Sequence, residues 1–524
     1  MPHDNPWEAC WPPILAMGDQ LASAAASQPQ AFWKAGANWW QAQTHLWQNS
    51  VEQMMEDGKP EDLWQYFQQS HRLISDYWQE SIDNLDGLPA KERKQLAFWT
   101  RQSMQLNDPA NYLLTNPKVL AKTVAEGGDN LVRGLEALIK DMDNSPFGLN
   151  VPLGNTELYE LGKDLALTPG QVVHREHLFE LIQYAPSTPE VHKVPVLIVP
   201  PCINKYYVLD LKPENSFIRH LVDQGFTVLL MSWRNPTAQD WELGVEDYLQ
   251  AVVEATNKVK DITEESQLHA LGYCVGGTLL SLAAAWLAAR GAKRFASLTL
   301  LTTLLDFSEP GEPGLLLVPS LLDALMNVVD QMGYMDGRLM ATGFSLLREQ
   351  ELYWPAFVNR YLLGQKPPGY DILVWNSDVT HLPARFYREY IENTYLENRL
   401  AEPGSWKLGG YKMDLRRVKV PLYVMAAEKD HIVPPQSAFA SAALMGGNKK
   451  RLVTSGAGHV AGVVNPPAKG KYGYRVEGEE GEHTGSWWLD WYRWLSDLAP
   501  ERVPAREIQG GLAPAPGDYV KARV

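Results

Sequence analysis

The sequence predicts an α/β protein, with a mostly parallel sheet preceded by a helical region. Three observations predict it. From about residue 175, short β-rich apolar runs alternate with helical stretches, the texture of a sheet covered on both faces. Inside that region, residues 272–276 read Gly-Tyr-Cys-Val-Gly between an apolar run and a helical one, the spacing of a sharp strand-to-helix turn that presents its middle residue. Residues 1 to about 170 carry helical periodicity and no convincing strand.

The helical region is clearest in DLWQYFQQSHRLISDYWQESI, where apolar residues repeat at spacings of three and four and their multiples, Leu63, Phe67, Ile74 and Trp78 lying four, seven and four apart. Asn107-Asp108-Pro109 and Asn116-Pro117 supply cap and turn chemistry between helices. Nine of the chain's 19 tryptophans fall among the first 100 residues. Two readings stand: a helical-bundle core with a dimer interface, or an amphipathic surface docking on a hydrophobic phase, because indoles favour apolar–water boundaries.

The strands expected after residue 175 lie in HLFELIQYA, VPVLIVPP, FTVLLMSW, HALGYC, SLTLLTTLLDF, VPLYVMAAEKD and KRLVTSGAGH. Between the fifth and sixth come residues 308–418, helical, irregular and rich in aromatics, among them Phe344, Trp354, Tyr361, Trp375, Phe386, Tyr387 and Tyr390. That is far longer than an ordinary connection, and we read it as a cap inserted over the active-site end of the sheet. The domains expected are therefore a helical one over residues 1–172 and a catalytic one over 173–524, with the cap at about 308–418.

A cysteine at the centre of such a turn points to acyl transfer through a thioester. The following helix aims its N–H groups and positive dipole end at the sulfur, favouring thiolate. The nucleophile needs a base, and the base an orienting acid; in the α/β-hydrolase fold these follow in the order nucleophile, acid, base. The chain supplies Cys274, then Asp430 just past an apolar run, then His459 in a glycine-rich stretch. Asp306 is a rival acid, and His431 and His483 are rival bases. The two oxyanion donors are expected from the N–H of Val275, next to the nucleophile, and from Cys202 or Ile203 in the loop after an earlier strand. We read Cys202 as a small residue lining a tight loop.

Bulk properties narrow the classes further. A net charge of −15 and a pI near 5.3 argue against a nucleic-acid partner. Three cysteines without C-x-x-C spacing build neither a disulfide framework nor a metal site, which fits a reducing cytoplasm. The N-terminus lacks a basic segment followed by an apolar core. The most apolar stretches, near residues 279–289 and 314–326, are short or broken by Pro319 and Asp323, so integration into a membrane is not expected.

The stretches GYCVGGT (272–278), PPCINKYYVLDLKPENSFIRHLVDQGFTVLLMSWRNP (200–236), LLTTLLDFSEPGE (300–312), WNSDVTHLP (375–383), AAEKDHIVPP (426–435), GAGHVAGVVNPPAKGKY (456–472) and GSWWLDWYRWL (485–495) resemble the polyhydroxyalkanoate synthases, particularly the single-subunit type acting on short-chain monomers (class I). The resemblance runs from about residue 100 to the end. It implies an α/β-hydrolase fold, Cys274 as the acylated nucleophile, His459 as its base and Asp430 as the third member. It implies an (R)-3-hydroxyacyl-coenzyme A substrate, 3-hydroxybutyryl being the first expectation, a growing polyester as product, and coenzyme A as leaving group rather than cofactor. No metal is implied. It also implies a homodimer associated with cytoplasmic polyester granules. Arg385, Arg388 and Arg234 are the cations considered for the coenzyme A phosphates. In the C-terminal helical stretch, Trp487, Trp491 and Trp494 share one face and are read as core.

Overall fold

The computed structural model describes residues 23, 26–56, 60–145 and 149–524. Trp7, Trp11 and Cys10 lie outside them. The chain forms two compact units.

The first unit contains the described residues of Met1–Asn155 together with Leu315–Val328 and Arg338–Pro368. Its helices before residue 145 are α1 (Pro29–Glu56), α2 (Pro60–Asp83), α3 (Ala90–Leu106), α4 (Pro117–Ala125) and α5 (Asp129–Asp143). Asn116 caps α4, its side chain accepting from the N–H groups of Lys118 and Val119. A small core of Ala31, Ile82, Leu85 and Leu96 pins α1, α2 and α3 together. Stretches from the predicted cap are built into this unit. Glu349 forms an ion pair with Arg101 (2.9 Å) and accepts from Gln102 (3.0 Å), and Tyr361 donates to Asp141 (2.8 Å), which also holds Arg360. A Cβ on Gly134 would lie 1.9 Å from the Tyr361 carbonyl oxygen, so only glycine lets α5 approach this closely. The division therefore does not follow the chain order of a 1–172 domain followed by a contiguous 308–418 cap.

The second unit contains Thr156–Gly314, Val329–Gly337 and Gly369–Val524. Its strands are β1 (Gly170–Arg175), β2 (Phe179–Tyr184), β3 (Val196–Val199), β4 (Val228–Trp233), β5 (Leu268–Tyr273), β6 (Phe295–Leu301), β7 (Leu422–Ala427), β8 (Lys450–Ser455), β9 (Tyr474–Val476) and β10 (Ala513–Pro514). They form one ten-stranded sheet in the order β9-β8-β7-β6-β5-β3-β4-β2-β1-β10. The six strands from β8 to β4 are parallel, with antiparallel strands added at both edges. Every residue of β2 to β5 and β7 is buried, as expected for strands covered on both faces.

All seven predicted strand stretches contain a strand. The edge strands β1, β9 and β10 were not read from the sequence. β9 and β10 are only three and two residues long, and β1 buries Val172 alone, so none of the three presents the continuous buried run of the inner strands.

Flanking helices include α6 (Phe217–Asp223), α7 (Val245–Thr263), α8 (Val275–Ala289), α9 (Ala384–Ile391), α10 (Pro435–Ala443), α11 (His459–Val463) and α12 (Trp487–Leu498). On α12 the fully buried indoles are Trp487, Trp488 and Trp491, whereas Trp494 is only partly buried beside Tyr423. The helix turns Trp488 towards Phe217 of α6, adding a third indole to the core.

Candidate active site

Cys274 sits between β5 and α8 with φ 52° and ψ −124°, a left-handed region that strains a side-chain-bearing residue. The turn is held by Cys274 N–H donating to Leu301 O (3.0 Å) and by Gly277 N–H donating back to Cys274 O (2.8 Å). A Cβ on Gly272 would approach Gly277 Cα to 2.4 Å, and one on Gly276 would meet Val199 O at 2.2 Å. The glycines thus let the turn close on itself and press against the end of β3.

Asp430 follows β7 and is buried. One carboxylate oxygen accepts from the N–H groups of Ile432 (2.8 Å) and Val433 (2.9 Å), and the other receives the Nδ1–H of His459 at 2.7 Å. His459 begins α11, which is anchored from behind: the indole N–H of Trp487 donates to Gly462 O (2.7 Å) and that of Trp488 to Val463 O (2.8 Å). Burial opposes the imidazolium, but the Asp430 carboxylate and then Cys274 outweigh it, pushing His459 from its ordinary 6.5 up to about 10. The imidazole also lies within hydrogen-bonding reach of Cys274. Cys274, His459 and Asp430 are therefore brought together in one line.

Two of the rivals, Asp306 and His483, are engaged elsewhere. Asp306 accepts from Ser308 N–H and Asn398 Nδ2, both at 2.9 Å. His483 stacks on Tyr474 and pairs with Glu479.

Val275 is the first residue of α8, so its N–H has no partner one turn earlier in the helix. The other expected donors, Cys202 and Ile203, lie in the loop after β3. Cys202 is buried, and burial pushes its thiol well up, so it behaves as a loop-lining residue rather than a second nucleophile. Neither Cys202 nor Cys274 is in a disulfide.

Sequence reasoning did not single out the residues that hold this loop. Trp233 Nε1 donates to Pro200 O (2.9 Å), Thr380 Oγ1 to Cys202 O (3.1 Å) and Trp375 Nε1 to Lys205 O (2.7 Å). Lys205 forms a buried ion pair with Asp378 at 2.6 Å and donates to Ala522 O (2.7 Å), and Tyr207 OH donates to Asp378 (3.0 Å). Burial pulls the Lys205 ammonium below its usual range while Asp378 draws it back. The signal for these residues was their density in two short polar-aromatic stretches, NKYY and WNSDVT.

From residues 369–418, the longest of the stretches of the predicted cap that belong to this unit, Tyr390 reaches Thr278 of α8 (3.4 Å), and Tyr390 and Tyr395 lie within electrostatic range of Cys274. The three arginines considered for phosphates are all engaged. Arg234 pairs with Asp240, Arg385 with Glu389 (2.7 Å), and Arg388 with Asp330 (2.5 Å) and Glu392 (3.7 Å).

A strained cysteine on a strand-to-helix turn, with a histidine–aspartate pair on later loops, defines an acyl-transfer enzyme of α/β-hydrolase architecture. Residues 195–466 match the family profile described as the alpha/beta hydrolase fold, and residues 54–221 match that of the poly-beta-hydroxybutyrate polymerase (PhaC) N-terminus. The chain is 40% identical over 484 residues to the poly(3-hydroxyalkanoate) polymerase of Methylorubrum extorquens, covering 89% of this chain and 80% of that one. It is 39% identical over 486 residues to the poly(3-hydroxyalkanoate) polymerase subunit PhaC of Rhizobium meliloti, covering 89% and 79%. The Cupriavidus necator subunit of the same name is 40% identical over 456 residues, covering 83% and 77%. The chain belongs to the poly(3-hydroxyalkanoate) polymerase family. The similarity reaches back to residue 54, well before residue 100 where the resemblance was first legible.

Proposed function

We infer that this protein polymerises (R)-3-hydroxyacyl-coenzyme A, with 3-hydroxybutyryl as the monomer to try first, into a polyester with release of coenzyme A. The observation that carries the reading is a cysteine, not a serine, on the turn served by His459 and Asp430. In the loading step the Cys274 thiolate attacks the thioester carbonyl, the carbon–sulfur bond to coenzyme A breaks, and His459 gives its proton to the departing thiolate. In the extension step His459 takes the proton of a 3-hydroxyl, and that oxygen attacks the enzyme thioester. A new ester forms and the Cys274 thiolate is released. Thioester exchange is near balance, whereas conversion of thioester to ester runs downhill, so extension drives the sequence. Val275 and Ile203 are proposed as the oxyanion donors for both steps.

The buried tyrosines near Cys274 suit the exclusion of water, which would otherwise hydrolyse the acyl-enzyme. We propose a homodimer working at the surface of cytoplasmic polyester granules. Supporting this is the apolar surface of α1 and α2, where Trp33 and Trp40 are 77% and 67% exposed. No helix among the described residues is long and apolar enough to cross a membrane. Coenzyme A release from 3-hydroxybutyryl-coenzyme A, followed by sizing of the product, tests the function. Thiol release yielding only monomeric hydroxy acid would overturn it in favour of a hydrolase.

A further inference from the structure

We propose that Thr380 is a positioning residue for the oxyanion site: by bonding the carbonyl of Cys202 it aims and polarises the N–H of Ile203. The inference rests on the acyl-transfer reading above. A trans peptide is planar, with its C=O and N–H pointing in opposite directions. The Cys202 carbonyl and the Ile203 N–H belong to one such plane. Thr380 Oγ1 donates to that carbonyl at 3.1 Å, with both residues buried. The bond fixes the rotation of the plane and turns the Ile203 N–H to the side away from Thr380. Among the described residues no backbone acceptor takes that N–H. The loop itself presses on the nucleophile's turn, because the positions of Val199 O and Pro200 O leave no room for a Cβ on Gly276, and Cys202 lies within electrostatic range of Cys274.

The rest of the segment around Thr380 is built to hold this register. Val379 bridges Asn204, Asp378 grips Lys205 at 2.6 Å, Trp375 holds the Lys205 carbonyl, and His381 N–H donates to Asn235 (2.8 Å). Three attachments to Asn204 and Lys205, with a fourth to Asn235 after β4, leave the peptide between residues 202 and 203 little freedom. A hydroxyl on its carbonyl adds charge separation to the N–H at the other end. It is the Ile203 N–H, and not that of Cys202, that shares a peptide plane with the carbonyl Thr380 holds.

The test uses full-length protein with Thr380→Val, which keeps the shape and removes the donor, and Thr380→Ser, which restores it. Thr380→Val is expected to lower kcat for coenzyme A release about tenfold or more, with KM within about threefold. Alkylation of Cys274 by iodoacetamide, which needs no oxyanion site, is expected to be unchanged. The carbonyl stretch of the acyl-Cys274 thioester, followed by isotope-edited infrared spectroscopy, is expected to move to higher frequency, and Thr380→Ser is expected to recover both kcat and the stretch. An unshifted carbonyl stretch in Thr380→Val, or alkylation falling in step with kcat, would overturn the proposal. Should Thr380→Val not fold, the stretch in Thr380→Ala against Thr380→Ser decides in the same way. Failure of the acyl-transfer reading itself is registered separately, by wild-type protein releasing no coenzyme A.

Discussion

The helix α12 and the hairpin of α1 and α2 use tryptophan in opposite ways. On α12, Trp487, Trp488 and Trp491 are buried, and each indole N–H finds an acceptor: Gly462 O, Val463 O and Thr299 Oγ1. On α1, Trp33, Trp40 and Trp47 stand in solvent, and Leu63 and Phe67 on α2 are about half exposed. An open apolar groove of about 980 Å³ runs between the two helices, lined by Phe32, Trp33, Trp40, Ile74 and Trp78 among others. Composition and helical periodicity are alike in both places. What differs is whether the described residues supply the opposing surface. Where they do, the indoles become the back wall of the helix that carries His459; where they do not, they form a face suited to another body.

If that contrast is right, damage to the catalytic unit abolishes chemistry while damage to the hairpin alters assembly. Cys274→Ala should eliminate coenzyme A release, with far-ultraviolet circular dichroism unchanged. Its removal takes away the acyl acceptor and, of the core, only the contact that this partly buried sulfur makes at the cluster's edge. Activity persisting in this variant would break the comparison at its centre.

Asp430→Asn should come next, with kcat reduced about a hundredfold or more and a changed pH profile. Without the carboxylate its support for the imidazolium is lost and the His459 pKa falls from about 10, so His459 holds less firmly the proton it takes from Cys274. Alkylation of Cys274 at pH 7 should slow accordingly. The sign for stability follows from the raised pKa. The stabilisation from holding His459 protonated is complete below about pH 6.5 and is lost as pH rises through about 10. The wild-type advantage in denaturant melts should shrink over that window.

Trp487→Ala should destabilise the catalytic unit by about 3–5 kcal/mol, seen as a lower denaturation midpoint, because it opens a cavity behind α11. Trp33→Ser with Trp40→Ser is the smallest effect on the fold, within about 0.5 kcal/mol. It should nevertheless raise the dimer dissociation constant in sedimentation experiments, or weaken adsorption to polyester particles. A pair of substitutions that unfolded the protein would show the hairpin face to be core after all.

Much of the candidate site was legible in the sequence. Cys274, Asp430 and His459 could be read because each sits in a short local pattern at a strand end. Phosphate contacts from Arg234 and Arg385 were not legible in the same way. A cation's role depends on its neighbours, and here Asp240 and Glu389 occupy them. The bracket of Trp375, Asp378 and Thr380 around the loop after β3 escaped notice because its meaning lies in contacts across the chain.

The sequence by itself determined the fold class, the strained turn at Cys274 and the order of nucleophile, acid and base. These are properties of runs a few residues long, set by side-chain periodicity and by where glycine is tolerated. Only the tertiary structure decided that Asp430 and not Asp306 meets His459, and that parts of residues 315–368 join the helical unit. It alone brought Thr380 to the carbonyl of Cys202, 178 positions away. Such pairings are decided by distance in the folded chain, where burial and a hydrogen bond of about 3 Å select one partner from many of the same chemical kind.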